Sequence, residues 1–334
     1  MTWLRYLSAC AALFSSAALA QPAALPAPDS RAVLHAITEN DAYGAARSDR
    51  WYTNGVRFGY GSPEGALPSP LAALDGAIGR LLGPAQSRWG VALGQNIYTP
   101  RSTLPYVPDP RDRPYAGYAY LEGSLDRRTA NTLDRFTLAA GVVGPGSLAR
   151  KTQDIVHDLI GSKIPHGWRY QIRDEATLNL GWQRTWRYRL ASLPGGFAVD
   201  TLPAAEVALG SVAIYAQAST RLRIGQGLEQ DFGAPRIRPG GADTPAPVGD
   251  SFGWYVFGGA AGRAVGRDLF LDGSTWRSNS PSVTRRNLVG DVEAGLAVFW
   301  NGVRLSYTHD WRSLEFTGQK KWFTYGIFNL TMAF

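Results

Sequence analysis

The sequence predicts an all-β fold, a transmembrane antiparallel β-barrel of about 12 strands with one short α-helix in an extracellular loop. Three observations carry that expectation. The 334 residues include 38 Gly, 11 Trp, 15 Tyr and 13 Phe, yet no run is apolar and long enough to cross a bilayer as a helix. Residues 51–60 alternate: Tyr52, Val56, Phe58 and Tyr60 share one face, suited to lipid, and Thr53, Gly55, Arg57 and Gly59 the other, suited to a polar interior. Residues 321–334 alternate in the same way and set Phe328, Leu330, Met332 and the terminal Phe334 on one side.

The chain opens on a secretory leader. Arg5 is a short positive region, Leu7 to Leu19 is mostly apolar, and Ala18-Leu19-Ala20 is a small-residue cleavage site before Gln21. A lipoprotein reading of Leu7-Ser8-Ala9-Cys10 would leave almost no apolar region before the cysteine. Cys10 is the sole cysteine and leaves with the leader, so neither disulfides nor a thiol nucleophile contribute. The expected organisation is a signal peptide over 1–20, a loose Pro/Ala-rich leader over 21–30 and the barrel over 31–334. Export, together with a terminal strand that ends on an aromatic residue, resembles the bacterial outer-membrane barrels. A net charge of +7 and a pI near 9.6 imply an anionic partner. An exported barrel meets no nucleic acid, and a phosphorylated lipid headgroup fits.

The strands follow in order. The first covers 31–40 and the second 51–60; 62–88 is Pro/Gly-rich with a short helix near 71–82. Strands three to six are expected at 89–98, 115–125, 132–143 and 176–188, and the later ones at 204–210, 211–224, 252–262, 288–300 and 303–312 before the terminal strand. The one strong helix pattern is 147–161. A Gly144-Pro145-Gly146 break precedes it, Ser147 suits the N-cap, and Gly161 can stop it. Leu148, Thr152, Ile155 and Leu159 form an apolar-leaning stripe, flanked by Val156 and Ile160, expected to pack on the barrel or touch lipid. Gln153 and His157 stand four apart on one face.

With a periplasmic N-terminus, odd strands run outward. Glu39, Asn40 and Asp41, then Thr53 and Asn54, then Gln95, Tyr98 and Thr99, then Arg113 and Tyr115 all reach the outer rim, as does the helix after strand five. The long connection after strand two fits this topology poorly, since a short turn belongs there. His35 and His309 fall within strands and read as lumen or packing residues, and His166 sits in a loop. His157 is the best general base, because neutral imidazole takes a proton from water near neutral pH. Glu39-Asn40-Asp41 with Thr53-Asn54 offers hard oxygen donors suited to Ca²⁺. Asp49-Arg50 and Asp112-Arg113 read as local ion pairs or as arginines presented to phosphate, with Arg47, Lys151 and Lys163 adding positive charge. There is no G-x-S-x-G, H-E-x-x-H or P-loop motif.

At these residues the chain resembles the outer-membrane lipid A 3'-O-deacylases. The matching segments are Glu39-Asn-Asp41, Asp49-Arg-Trp-Tyr-Thr-Asn-Gly55, Gly94-Gln-Asn-Ile-Tyr-Thr-Pro100 and Asp112-Arg-Pro-Tyr-Ala-Gly117. Gly144-Pro145, Gln153 with His157, and Gly167-Trp168 with Gln171 continue the match in order. The resemblance implies a twelve-stranded barrel and a Ca²⁺-dependent esterase that removes the 3'-linked acyloxyacyl group of lipid A in the outer leaflet. It implies His157 as base with Gln153 beside it, and Asn40, Asp41 and Thr53 as the polar cluster at the metal and oxyanion. Lys151, Lys163, Arg113, Tyr115, Trp168 and Gln171 are the expected substrate contacts. Lipopolysaccharide is then the partner, and the barrel is expected to be monomeric. The alternatives are an outer-membrane phospholipase and a non-catalytic barrel, a pore or a lipopolysaccharide binder.

Overall fold

In the β-rich outer-membrane pattern each strand must hide one face and give the other to lipid, and the chain does so by closing on itself. A computed structural model describes residues 25–44, 49–238, 241–242 and 249–334. The expected signal peptide and Arg47 lie outside the described residues. The wall is a closed antiparallel barrel of twelve strands. They are β1 (Val33–Asn40), β2 (Trp51–Gly61), β3 (Gln86–Thr99), β4 (Ala116–Arg128), β5 (Thr132–Val143) and β6 (Glu175–Trp186), then β9 (Ala204–Gly210), β10 (Ala213–Gln226), β13 (Gly253–Asp268), β14 (Leu288–Trp300), β15 (Val303–Arg312) and β16 (Phe323–Ala333). The seam joins β1 to β16 from Val33↔Ala333 to Asn40↔Gly326, which puts the start of β1 and the end of β16 at one rim. Two hairpins were not foreseen: β7 (Tyr188–Ser192) with β8 (Phe197–Thr201), and β11 (Ile237–Arg238) with β12 (Gly241–Ala242). The expected strands all exist, with ends shifted by a few residues; β13 runs furthest past its expected end.

Alternation sets the two faces. Phe58, Leu93 and Leu121 are 60%, 62% and 61% exposed on the lipid side, whereas Arg57 and Glu122 form a buried 2.7 Å ion pair inside. The expected faces of β2 hold from Val56 onward and fail at its start. A β-bulge between Tyr52 and Asn54 inserts one residue. Tyr52 therefore turns inward and donates to Glu39 at 2.7 Å, while the Thr53 hydroxyl bonds that of Thr99, on the outward side of β3, at 2.8 Å.

The lumen is filled from both ends. After β10, residues 227–238 turn back up the barrel. Arg236 meets Asp310 at 3.0 Å and the Tyr325 hydroxyl at 2.7 Å, and the Ile237 amide donates to Glu39 at 2.6 Å. Arg223 pairs with Asp200 at 2.6 Å, and Arg304 with Asp231 at 2.7 Å. At the outer end a single helical turn, Leu269–Asp272, buries Leu269, Phe270 and Leu271; Phe270 stacks on Tyr98 with centroids 4.1 Å apart. Two longer helices lie in connections: α1 (Ser69–Leu82) between β2 and β3, and α2 (Ala149–Ile160) between β5 and β6. The leader segment before β1, expected to be loose, is tied down: Gln86 and Arg128 donate to the carbonyls of Pro26 and Ala27.

Candidate active site

Helix α2 lies on the outside of the wall. Gly117 takes an outward position on β4, in step with exposed Leu121, and a Cβ there would come within 2.2 Å of both Ala149 Cβ and Ser147 Oγ. Only glycine lets the helix start approach so closely. Gln95, outward on β3 in step with Leu93, donates to the Ser147 carbonyl at 2.7 Å. Ser147 is not the N-cap. That position belongs to Leu148, left-handed at φ 59°, while the Ser147 hydroxyl turns back to the Gly144 carbonyl at 2.6 Å. Gly161, at φ 68°, ends the helix as expected.

The helix buries its polar face. Ala149, Gln153 and His157, at intervals of four, face the wall. The apolar residues point away: Leu148, Ile155, Leu159 and Ile160 are 62%, 58%, 83% and 67% exposed. Of the two destinations expected for this stripe, packing on the barrel is not the one it takes.

His157 is held at both ring nitrogens. Nδ1 lies 2.6 Å from the Lys163 carbonyl, and Nε2 lies 2.9 Å from Asp49 Oδ2. A carbonyl only accepts, so Nδ1 carries a proton and Nε2 faces the carboxylate. Asp49 is thus the partner of His157, not half of a local pair with Arg50. Asp112 is likewise not paired with Arg113: it caps the backbone amides of Arg101 and Arg113 at 2.7 and 2.8 Å and accepts from Trp51 Nε1. Arg113 instead pairs with Glu315 at 3.1 Å and lies over the Tyr98 ring, fully buried.

Gln153 is oriented by Trp168, whose indole N–H donates to Oε1 at 2.8 Å. That bond leaves Nε2 of Gln153 buried and without a partner among the described residues. Tyr115 packs on Trp168 with centroids 5.0 Å apart, and Ile97 and Ala149 complete that cluster. The side chains of Lys151 and Lys163 are exposed, and Gln171 is half-buried beyond Trp168.

Asp41 lies in a short turn after β1 and is buried. Its Oδ2 accepts the Arg50 amide at 2.7 Å, while Oδ1 is buried and has no hydrogen-bond partner among the described residues. Burial, assisted by repulsion from Asp49 and opposed by the Arg50 amide, pushes its carboxyl up to about 8. Burial also raises Asp49, opposed by His157. Asn40, outward at the end of β1, uses Oδ1 to accept from the Ala42 amide at 2.7 Å. Among the described residues no three His, Cys, Asp or Glu converge as a metal cluster. The donor chemistry nevertheless fits a hard divalent cation: two carboxylates close enough to repel one another, one with a buried oxygen that no described residue partners, and the Asn40 amide next to Asp41 in the chain. Trp51, the residue after Arg50, holds a left-handed φ of 63°, rare for an aromatic residue and typical of constrained functional backbone.

Two further surfaces flank this cluster. A cleft of 620 Å³ beside it is lined by Arg50, Arg101, Arg111, Lys320 and Lys321, with Trp51 and Trp322 as walls and Asp109 and Asp112 as the acids. Below it an almost wholly apolar groove of 500 Å³ runs down the lipid face past Leu34, Phe58, Leu93 and Met332. Asp49 and Thr99 were the partners least visible in the sequence. One read as a neighbour of Arg50, and the other has no chemistry of its own until the bulge brings Thr53 across. His35 is a lumen residue against Arg57, whereas His309 lies outward and packs on Trp311 at 4.2 Å.

A family model described as outer membrane protein LpxR matches residues 7–334. LpxR from Salmonella typhimurium superposes with a TM-score of 0.72 at 19% identity, covering 90% of this chain and 100% of that one. The β domain of the Bordetella autotransporter Brka gives 0.45 at 12% identity, covering 92% and 100%. An outer membrane channel from Pseudomonas putida F1 gives 0.41 at 10%, covering 95% and 100%. No curated protein sequence matches the chain. With the family pattern running through nearly its whole length and the same barrel beneath it, this chain belongs to the LpxR family of outer membrane proteins.

Proposed function

We propose that this barrel is a lipid A 3'-O-deacylase that hydrolyses the 3'-linked acyloxyacyl ester in the outer leaflet. The observation that carries the reading is one buried polar face: the His157–Asp49 pair and the idle amide of Gln153, clamped between wall and helix at the outer rim. Ester hydrolysis needs a base for water and a donor for the developing oxyanion. His157 and Asp49 act as one basic unit. Lys163 fixes the ring through Nδ1, and Asp49, the more exposed member at 23%, is where water reaches the pair. Gln153 Nε2 supplies an oxyanion donor whose direction is set by Trp168. No covalent nucleophile is required.

Asp41 and Asp49, with Asn40 and Thr53 beside them, would hold Ca²⁺. The ion, when bound, supplies positive charge at the ester carbonyl. Asp41 would have to be ionised to hold it, against the burial that raises its carboxyl. The basic cleft suits phosphate on the glucosamine headgroup, and the apolar groove suits the acyl chains. The filled lumen speaks against a pore. Lipid A and glycerophospholipid presented separately to purified protein test the reading. Release of fatty acid from lipid A alone is expected; cleavage of phospholipid alone would replace the assignment with a phospholipase.

A further inference from the structure

The long connection between β2 and β3 has no part in the site, and its helix buries none of its residues. Its place is set by Asp75, which accepts from Ser87 Oγ and Arg127 Nε, both at 2.7 Å. Ser87 is in step with Val91 and Leu93 on β3, and Arg127 with Leu121 on β4, so both point out of the barrel. α1 therefore lies against the outside of the wall at the inner end, not beneath the mouth. Arg127 also donates to the Gly83 carbonyl at 2.8 Å and clamps the helix end.

Just above the tether, Trp89 packs on Tyr60 with centroids 5.7 Å apart, and around the wall Phe136 stacks on Trp182 at 6.0 Å. Such outward aromatic pairs mark the level where hydrocarbon meets headgroups. α1 is thus held at the depth of the inner-leaflet boundary. Stepping about 100° per residue, Leu71, Leu74, Ile78, Leu81 and Leu82 fall in one sector, about a quarter turn from the Asp75–Gly79 line that meets the wall. Gly76 and Arg80 fall opposite. Leu74 and Leu81 are 48% and 86% exposed. An apolar flank set sideways to its docking surface, and continuous with the lipid-facing belt, matches the plane of a membrane.

We propose that α1 is an interfacial foot, lying flat in the inner leaflet of the outer membrane with Leu74 and Leu81 among phospholipid acyl chains. Its tether to β3 and β4 makes it a stop that sets how deep the barrel sits, and hence the level of the outer rim.

The test uses the full chain with Cys10→Ser, folded into phospholipid vesicles, with an environment-sensitive fluorophore at Leu81→Cys or at Arg80→Cys. Folding of each variant is verified by the mobility difference between heated and unheated samples. Phospholipid brominated high on its acyl chains is expected to remove about half the emission of the Leu81 label or more, while aqueous iodide quenches mainly the Arg80 label. A Leu81 label that iodide reaches and bromolipid does not, or two labels that respond alike, would overturn the proposal.

Discussion

At the residue scale, chemistry concentrates on atoms that have nothing else to do. Gln153 Nε2 and Asp41 Oδ1 are buried without partners among the described residues, a costly state unless a ligand completes them. Gln153→Leu keeps the size and removes the donor, and should lower kcat by ~10²-fold with little change in KM. Trp168→Phe should weaken it less, because the amide survives but loses its orienting N–H. Asp49→Asn should shift the pH profile of kcat as well as its height, since the carboxylate charge facing His157 Nε2 is replaced by a neutral amide. Asp41 gives a stability prediction. An unfolded aspartate loses its proton near 3.8 and the folded one near 8, so ionisation costs stability progressively as pH rises through that window. Thermal unfolding of the metal-free protein should fall between those limits and flatten in Asp41→Asn. Ca²⁺ should bind more tightly as pH rises through about 8, measurable by calorimetry. That Gln153 and His157 share one face of the helix was legible from their spacing. Asp49 as the partner of His157 was not, because nothing local links a loop after β1 to a helix after β5.

At the element scale, α2 was readable in extent and misread in orientation. An amphipathic pattern identifies two faces, but which one is buried depends on whether the medium is water or lipid. Here Leu148, Ile155 and Leu159 look outward at outer-leaflet level, and the wall takes Gln153 and His157. Gly117 permits that contact. Gly117→Val should dislodge α2, so activity falls at least ~10²-fold while heat-modifiability of the barrel persists, a separation a globally unfolded variant cannot show. The bulge at Thr53 was equally hidden. Alternation predicts faces only while the register is unbroken, and one inserted residue moved Tyr52 inward and Thr53 outward.

At the scale of the whole molecule, the closed barrel was legible because its signals repeat: export, alternation and a terminal aromatic strand agree along the entire chain. The filling of the lumen was not, since residues 227–238 carry no periodicity and are held by ion pairs to distant strands. That filling predicts no steady single-channel conductance in planar bilayers; open-pore currents would mean the strap leaves the lumen. The wall carries the buried polar face of α2 at the outer rim and an apolar groove lower on its lipid face. The most direct measurement is mass spectrometry of lipid A from cells that express the wild type or His157→Ala with Ca²⁺ supplied. Loss of the mass of the 3'-acyloxyacyl group with the wild type, and intact lipid A with His157→Ala, is the predicted result. Intact lipid A in both would contradict the deacylase assignment, and equal deacylation in both would contradict the role of His157.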